Sequence, residues 1–418
     1  MKRKLHIKFP AISRWWVWFG FLSLLLLAGL ASGLMVFWKG LVITNLTDLV
    51  PWGLWITLDL SSIALSAGAF SLCAGVYLFG LKRYQPVART ATFVGLIGYT
   101  MAMLALLLDI GRPDRFWHAL VYWNKHSLLW EVTMCVVLYL TVLLFESMPI
   151  FASLEWFRKR FSRIAQKMEH IHHYAPFLAI IGLGLSSLHQ SSLGATYGVI
   201  KARPFWFKPE LSVLFMFSAL VGGISLTLFL SMLSARLTPR AKVNDALLER
   251  IALFVGYLLI GYFYFRAWDA LSVTYTYDPG RNEGLNLTTS GPLSFNFWIM
   301  EMLLGILIPM ILLLWSRTRL NPFWRMLALL LVAAGVVMYR WDINISGLLV
   351  LVPYLPGAAI TYTSYSPALI EWLAAAGILG YGMAAFSLGV RYLRVVDHRL
   401  TAEEHEPVRV SSGETVPI

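Results

Sequence analysis

Long runs of apolar residues, separated by short polar segments, recur along the whole chain of 418 residues. Each run has roughly the 20 residues that an α-helix needs to cross the hydrocarbon core of a bilayer. The pattern predicts ten spans, at about 15–38, 52–80, 88–109, 128–151, 174–198, 210–235, 251–275, 295–316, 322–341 and 368–391. We therefore predict an all-α polytopic membrane protein, with one transmembrane helical domain over 1–396 and a disordered cytoplasmic tail over 397–418.

Composition and charge agree with this fold class. The chain is 58% hydrophobic and only 13% charged, whereas about a quarter of the residues of a soluble domain are charged. Of the 34 Lys and Arg residues, 24 lie on one side of the predicted spans and 8 on the other. The positive-inside rule places both termini in the cytoplasm. The net charge of +12 is scattered over several loops and forms no single stripe, so we expect no nucleic-acid partner. No clear internal repeat is visible.

Most ionisable residues inside the spans lie in their outer third. Those close to a helix end, such as Glu146, Asp342 and Glu371, are interpreted as interface residues that reach polar headgroups. Arg266 and Asp269, one turn apart, are interpreted as a structural ion pair. Three others fit such interpretations poorly because their spans are otherwise apolar and place them at similar depth on different helices: Asp59, Glu131 and His189.

Span five has the most unusual local sequence, GLSSLHQSSLGATYG from Gly184 to Gly198. Its Ser and Gly residues are typical of close packing between membrane helices. His189 and Gln190 are not explained by packing, because each requires buried partners. An imidazole beside a carboxylate can accept, donate and exchange protons near neutral pH. This pattern indicates proton-coupled chemistry.

Three kinds of chemistry can be compared. A b-type haem uses two histidines on facing helices, and of nine histidines only His189 is well inside a span. A solute transporter would be marked by a pair of Gly- or Pro-broken half-helices, which we do not find. Two cysteines, Cys73 and Cys135, cannot supply the four ligands of an iron–sulfur cluster. A quinone fits better, because its two carbonyl oxygens take up protons from His, Tyr or carboxyl groups.

Five motifs resemble the NrfD/polysulfide-reductase family of quinone-reactive membrane anchors. They are VPWGLWITLD (50–59), LIGYTMAM (96–103), LLLDIGR (106–112), SLLWEVTMC (127–135) and LHQSSLGA (188–195). The likeness extends over a core of roughly 50–345 and is strongest over 50–200. Within the family, the motifs resemble those of a ten-helix branch, which contains the membrane subunits of hydrogenase-2-type enzymes and of the Dsr sulfite-reduction complex. The chain departs from hydrogenase-type members in lacking an acid towards the inner end of span six.

The resemblance implies a haem-free quinone site near the outer face of a prokaryotic cytoplasmic membrane. A periplasmic ferredoxin-like iron–sulfur subunit would link it to a catalytic subunit, such as a hydrogenase, a sulfur-cycle enzyme or a molybdenum enzyme. The family's functional positions match Asp59, Tyr99, Glu131 and His189 here, which we predict to be catalytic. The predicted quinone-binding residues, all within the matching motifs, are Trp55, Asp59, Asp109, Arg112 and His189.

We therefore predict the quinone-reactive membrane subunit of a respiratory complex, inactive alone, with menaquinone or ubiquinone as exchangeable substrate. Protons are expected to exchange on the outer side. The basic, aromatic outer loop 111–126 is the predicted docking surface for the iron–sulfur partner. The alternatives are a proton- or ion-translocating subunit of such a complex and a haem-b membrane anchor. Translocation is disfavoured because the inner half offers mainly four residues, each interpreted as packing or interface: Ser66, Ser71, Thr141 and Glu146.

Overall fold

A computed structural model describes residues 14–275, 277–353 and 359–398, without the side chains of Lys82 and His172. The predicted tail therefore lies, apart from its first two residues, outside the described part of the chain. The terms outer and inner are kept below for the two membrane sides as the charge bias orients them.

Ten long helices make up most of the described chain. They are α1 (Arg14–Lys39), α2 (Leu54–Leu78), α3 (Gln85–Asp109), α4 (Leu128–Ala152), α5 (Ala175–Gly198), α6 (Leu211–Leu237), α7 (Asp245–Thr274), α8 (Asn296–Leu314), α9 (Pro322–Leu349) and α10 (Leu369–Tyr392). Among the described residues, nine are individually long and apolar enough to cross a membrane. The tenth candidate is α5 joined to the short helix Ser162–His170, which meets it at 66°. The predicted all-α polytopic fold is confirmed.

Short elements connect these helices. The short helices are His118–Val121, Glu155–Arg160, Ser162–His170, Arg281–Thr289 and Ser316–Leu320, and single 3-10 turns occur at Leu41–Ile43, Lys82–Tyr84, Pro113–Arg115 and Ile171–Tyr174. Two-residue strands, Val350–Leu351 and Thr361–Tyr362, pair antiparallel on the outer side. The first part of α8, Asn296–Leu307, is wound as a π-helix. Such winding is rare and frequently occurs at functional sites.

The helices form two four-helix bundles. Helices α2 to α5 make the first, since each packs on the next and α5 packs back on α2. Helices α6 to α9 make the second in the same way. The bundles meet where α2 packs on α6 and α9, and where α5 packs on α6. Helices α1 and α10 pair with each other, and α10 leans on α3.

The contact between the bundles is close because it uses glycine. A Cβ atom on Gly68 of α2 would overlap the carbonyl oxygen of Ala219 on α6. A Cβ atom on Gly223 of α6 would overlap the backbone of Ala69 on α2. The two backbones therefore touch directly, which is how small residues let membrane helices approach. This contact fixes the first bundle against the second.

Helix α9 is longer than its hydrophobic run predicts. It continues to Leu349 instead of ending near residue 341. The added turns contain Asn344, Ser346 and Gly347, whose polar or small side chains are typical of a loop. Here they are buried, with the indole of Trp206 donating to the carbonyl oxygen of Ile343 at 2.6 Å. Consequently Arg340 and Asp342 lie well inside the helix, and the interpretation of Asp342 as an interface residue is wrong.

Candidate functional site

The centre of the first bundle is a tyrosine–histidine pair. The Tyr99 hydroxyl on α3 hydrogen-bonds Nδ1 of His189 on α5, and both residues are fully buried. The Tyr139 ring on α4 packs edge-on against Tyr99, with 4.5 Å between ring centroids. Nε2 of His189 has no hydrogen-bond partner among the described residues. The structure thus brings two of the predicted catalytic residues into direct contact and leaves one imidazole nitrogen available.

Glu131 lies at the outer end of α4, one turn from the helix start. The Ser127 hydroxyl caps this end by accepting from the Trp130 amide at 3.3 Å. One carboxylate oxygen of Glu131 accepts from the Ser192 hydroxyl of α5 at 2.7 Å. Ser192 follows His189 by three residues and so lies about one turn closer to the outer side. Because Glu131 is only half-buried, it places a carboxylate at the seam of α4 and α5, between His189 and the bundle surface.

Asp59 lies on α2 about two turns from its outer end and is 3% exposed. Its Oδ1 has no hydrogen-bond partner in the described chain. The carboxylate interacts electrostatically with Asp109, the last residue of α3, and with Tyr99. No hydrogen bond joins it to Glu131 or His189 within the described residues. Asp59 and Asp109 are thus two acids on packed helices, α2 and α3, both nearer the outer ends of these helices than Tyr99 is.

The remaining two predicted residues lie further from this centre. Trp55 is buried on α2, and its indole donates to the carbonyl oxygen of Glu371 on α10 at 3.1 Å. Arg112 is exposed and pairs with Asp114 at 3.0 Å, which lowers the pKa of the Asp114 carboxyl. Trp55 thus fixes α2 to α10, whereas Arg112 belongs to the outer loop.

Glu371 is not the interface residue that its place near a helix end predicts. The residue is 1% exposed. One carboxylate oxygen accepts from the Ala368 amide at 2.6 Å and from the Tyr365 hydroxyl at 3.1 Å. The side chain caps the start of α10 and does not reach the headgroups, because the outer loop folds over it.

A second polar centre lies in the second bundle. Arg266 of α7 donates to Asp269 at 2.7 Å and to Glu301 of α8 at 2.5 Å. Lys208, from the loop before α6, reaches Asp269 at 2.8 Å and is 1% exposed. The predicted Arg266–Asp269 pair is confirmed. Sequence reasoning missed Lys208, because a lysine in an outer loop resembles a surface charge. Its ammonium group lies 4.4 Å from the centre of the Phe205 ring, a contact that no local sequence pattern indicates.

Arg340 of α9 lies where the bundles meet. Its Nη2 donates to the carbonyl oxygen of Phe215 and the Ser218 hydroxyl, both at 2.9 Å, and to the Gln190 side chain at 3.3 Å. The guanidinium stacks on the Phe215 ring at 3.6 Å. Gln190 is the neighbour of His189 in sequence. Arg340 therefore links the second bundle to the helix that carries the imidazole of the first.

The inner half of the first bundle borders a cavity that the sequence does not indicate. A cavity of about 1270 Å³ at the inner side is lined by Glu146, Cys73 and Tyr77, with Arg89 and Lys242 among its other lining residues. Both carboxylate oxygens of Glu146 are buried without a hydrogen-bond partner in the described chain. The interpretation of Glu146 as an interface residue that reaches the headgroups is therefore wrong. The remaining three inner-half residues bond backbone carbonyls, which is consistent with packing: Ser66, Ser71 and Thr141.

Tyr139, a phenol in the middle of α4, is a further polar residue of this bundle that the sequence reasoning missed. It is fully buried, and its hydroxyl has no hydrogen-bond partner among the described residues. It lies seven residues, about two turns, from Glu146 on the same helix. Glu146, Tyr139, Tyr99 and His189 thus form a series of polar groups from the inner cavity to the centre of the bundle.

Comparison with known proteins identifies the family of this chain. The family described as "Polysulphide reductase, NrfD" matches residues 42–352. The chain belongs to this family. It is 31% identical over 397 residues to the "Menaquinone reductase, integral membrane subunit" of Nitratidesulfovibrio vulgaris, covering 92% of this chain and 93% of that one. It is 30% identical to a selenate reductase subunit of Mesobacillus selenatarsenatis, covering 91% of this chain and 94% of that one.

The name of a further relative refers to a b-type cytochrome. The chain is 26% identical to the "Probable Ni/Fe-hydrogenase 2 b-type cytochrome subunit" of Escherichia coli, covering 87% of both.

As an NrfD-family chain with nine or more apolar helices in its described part, this protein is an integral protein of the prokaryotic cytoplasmic membrane. The resemblance predicted from its motifs is confirmed.

Proposed function

We propose that this chain is the quinone-reactive membrane subunit of a respiratory redox complex, with menaquinone as the favoured substrate. The observation that carries the proposal is the buried Tyr99–His189 pair, with its free Nε2, behind a half-exposed carboxylate at a helix seam. A lipid-soluble head group entering at Glu131 would meet groups that hold and exchange protons. The names of the menaquinone reductase and selenate reductase relatives support this proposal.

The proposed chemistry follows from what a quinone needs. Its reduction consumes two electrons and two protons, and quinol oxidation reverses both. His189 can exchange a proton at Nε2 while Tyr99 holds Nδ1 and fixes the ring orientation. Glu131 serves the second oxygen from the α4–α5 seam. Asp59 and Asp109 then offer a route for protons between the site and the outer side.

Electrons are proposed to arrive from, or leave to, an iron–sulfur partner on the outer side. The two cysteines, Cys73 and Cys135, are buried on different helices, so the chain has no cysteine set for a cluster of its own. The loop 111–126 exposes aromatic side chains suited to an interface, among them Trp117, Tyr122 and Trp123. Through this partner the chain would serve a catalytic subunit.

We propose that no haem is bound, despite the b-type cytochrome name of one relative. Bis-histidine ligation needs two imidazoles facing each other inside the bundle. Within the ten long helices of the described chain, His189 is the sole histidine, and Tyr99 already occupies its Nδ1. The purified chain should show no Soret absorption band. A Soret band that corresponds to about one haem per chain would contradict this part of the proposal.

The experiment that tests the function is turnover of the assembled complex with a menaquinone analogue. Glu131→Gln keeps the shape and an acceptor for Ser192 but removes the ionisable group. We expect an unchanged amount of assembled complex and a loss of turnover of roughly a hundredfold or more, the scale of a lost general acid–base. Thr133→Val, two residues further along α4, changes a side chain that bonds only the backbone of its own helix and is the control. Wild-type turnover in Glu131→Gln would refute the proposal.

A second candidate function is proton translocation linked to quinone turnover. The observation that favours it is Glu146 in the wall of the inner cavity, in series with Tyr139 and Tyr99. The reconstituted complex in sealed vesicles separates the two. Proton exchange confined to the outer side, with no membrane potential, supports the first function alone. A potential that disappears in Glu146→Gln, but not in Thr141→Val on the same helix, supports translocation.

A further inference from the structure

Arg340 is a buried cation without a counter-charge. It is 0% exposed, and no carboxylate lies within 4.0 Å of its guanidinium among the described residues. Its Nη2 bonds to neutral groups, and Nε and Nη1 have no hydrogen-bond partner there. The stacked Phe215 ring, at 3.6 Å, is the main compensation.

This arrangement differs from that of two other buried arginines. Arg266 contacts two carboxylates, and Arg325, at the inner end of the same helix α9, contacts Asp245. A charge removed from water costs several kcal/mol unless an opposite charge or full hydrogen bonding compensates it. Arg340 has neither within the described chain. An isolated cation is therefore set up to attract negative charge that forms nearby.

Its position identifies where that charge would form. Arg340 donates to Gln190, and the preceding residue on α5 is His189, whose free Nε2 belongs to the proposed quinone site. Tyr197, further along α5, donates to Asn344, which lies one turn beyond Arg340 on α9. Arg340 thus lies on the second-bundle side of the α5 segment that carries His189, whereas Asp59 and Asp109 lie towards the outer side.

We propose that Arg340 is the electrostatic element that stabilises the negatively charged form of a quinone head group held beside His189. The inference rests on the proposed quinone function and adds a residue from the second bundle to that site. Arg340 acts through space and through Gln190, not as a proton donor. It favours uptake of electrons by making the anionic head group more stable than it would be in an apolar bundle.

The expected size of the effect follows from Coulomb's law. At an effective dielectric constant of about 20 and separations of roughly 6 to 12 Å, one unit charge changes the binding of an anion by about tenfold to a hundredfold. A neutral ligand of the same shape carries no net charge for Arg340 to attract. Its binding should therefore change much less.

The test uses two small naphthoquinones that differ in charge. Menadione is neutral, and 2-hydroxy-1,4-naphthoquinone is an anion at neutral pH. Binding of each to the purified full-length chain can be followed by quenching of its 17 tryptophans. Arg340→Gln should weaken binding of the anion by about tenfold to a hundredfold and leave menadione binding unchanged. Arg340→Lys, which keeps the charge, should retain most of the preference.

A second variant neutralises the charge without removing the arginine. Gln190→Glu places a carboxylate at the position that now contacts Nη2 at 3.3 Å. The new ion pair should make the protein more resistant to unfolding and should lower binding of the anion by a similar factor. Arg325→Gln is the matched control, because it removes a buried cation from the same helix roughly 22 Å away.

The outcomes separate the two proposals. Selective loss of the anionic ligand in both Arg340→Gln and Gln190→Glu, with the Arg325→Gln selectivity unchanged, supports the inference. Equal losses for both ligands, or no loss of the anion, overturn it while leaving quinone binding intact. Failure of the wild-type chain to bind either naphthoquinone overturns the proposed function itself. If Arg340→Gln does not fold, Gln190→Glu decides the question.

Discussion

Two buried tyrosines allow the hydrogen bond at the centre of the first bundle to be measured. Tyr99 and Tyr139 are both fully buried, and their ring centroids lie 4.5 Å apart. Tyr99 bonds His189, whereas the Tyr139 hydroxyl has no partner among the described residues. Replacing each by Phe removes the same oxygen atom from nearly the same place. The difference between the two variants therefore isolates the Tyr99–His189 bond.

The expected magnitudes follow from this difference. Tyr99→Phe leaves Nδ1 of His189 unsatisfied in an apolar setting, which should lower the free energy of unfolding by about 1–3 kcal/mol. Tyr139→Phe breaks no hydrogen bond within the described chain and removes a buried hydroxyl without a partner there, so it should leave the free energy of unfolding unchanged or raise it. Tyr99→Phe should also slow quinone turnover, because the imidazole loses the contact that fixes its ring.

The assay is unfolding of the detergent-solubilised protein in denaturant, with turnover of the assembled complex measured in parallel. His189→Gln, alone and in the Tyr99→Phe background, completes the cycle and tests whether the two changes are coupled. Destabilisation by Tyr139→Phe as large as that by Tyr99→Phe would refute a central role for the Tyr99–His189 bond. So would changes at Tyr99 and His189 that add without coupling.

Three further outcomes are expected. Lys208→Met leaves the buried Asp269 with one cation instead of two and should lower the free energy of unfolding by about 3 kcal/mol. Arg281→Met removes one member of a partly exposed pair and should lower it by less than about 1 kcal/mol. Equal losses in the two variants would contradict the buried network. Burial lowers the pKa of His398 to about 4, whereas an exposed histidine has a pKa of about 6.5. Between these pH values the unfolded segment binds more protons than the folded one, so acid favours unfolding. The hydrogen bond from the His398 amide to the Lys242 carbonyl oxygen should therefore weaken as pH falls from about 6.5 towards 4. Hydrogen exchange at residues 242–244 measures this, and His398→Asn should abolish the pH dependence. Trp123→Ala should reduce recovery of the iron–sulfur partner with the chain; undiminished recovery would move the docking surface elsewhere.

The fold could be predicted from the sequence because the bilayer imposes a simple rule. Ten apolar runs became ten helices, since backbone groups in hydrocarbon must be bonded internally. The end of α9 could not be predicted in this way. Its last turns are polar, and they are helical because Trp206 and Tyr197 bury them, a tertiary contact that hydropathy does not contain.

The sequence identified candidate residues for the site but not their geometry. Short polar side chains in apolar spans identified Asp59, Glu131 and His189, and the motifs added Tyr99. Only the assembled first bundle shows that Tyr99 contacts His189 and that Glu131 instead contacts Ser192. Lys208 and Glu371 looked like surface residues because nothing local indicates that a loop folds over them. The two-bundle arrangement was also invisible, because the sequence carries no clear repeat.

The measurement that tests the central claim most directly is photolabelling of the complex in native membranes with an azido-naphthoquinone, followed by peptide mapping. We expect labels in the outer halves of α3, α4 and α5, around Tyr99, Glu131 and His189. Excess unlabelled menaquinone analogue should suppress them, and Glu131→Gln should keep them while turnover is lost. Labels confined to α7 and α8, or to the inner cavity around Glu146, would contradict the assignment of the quinone site to the first bundle.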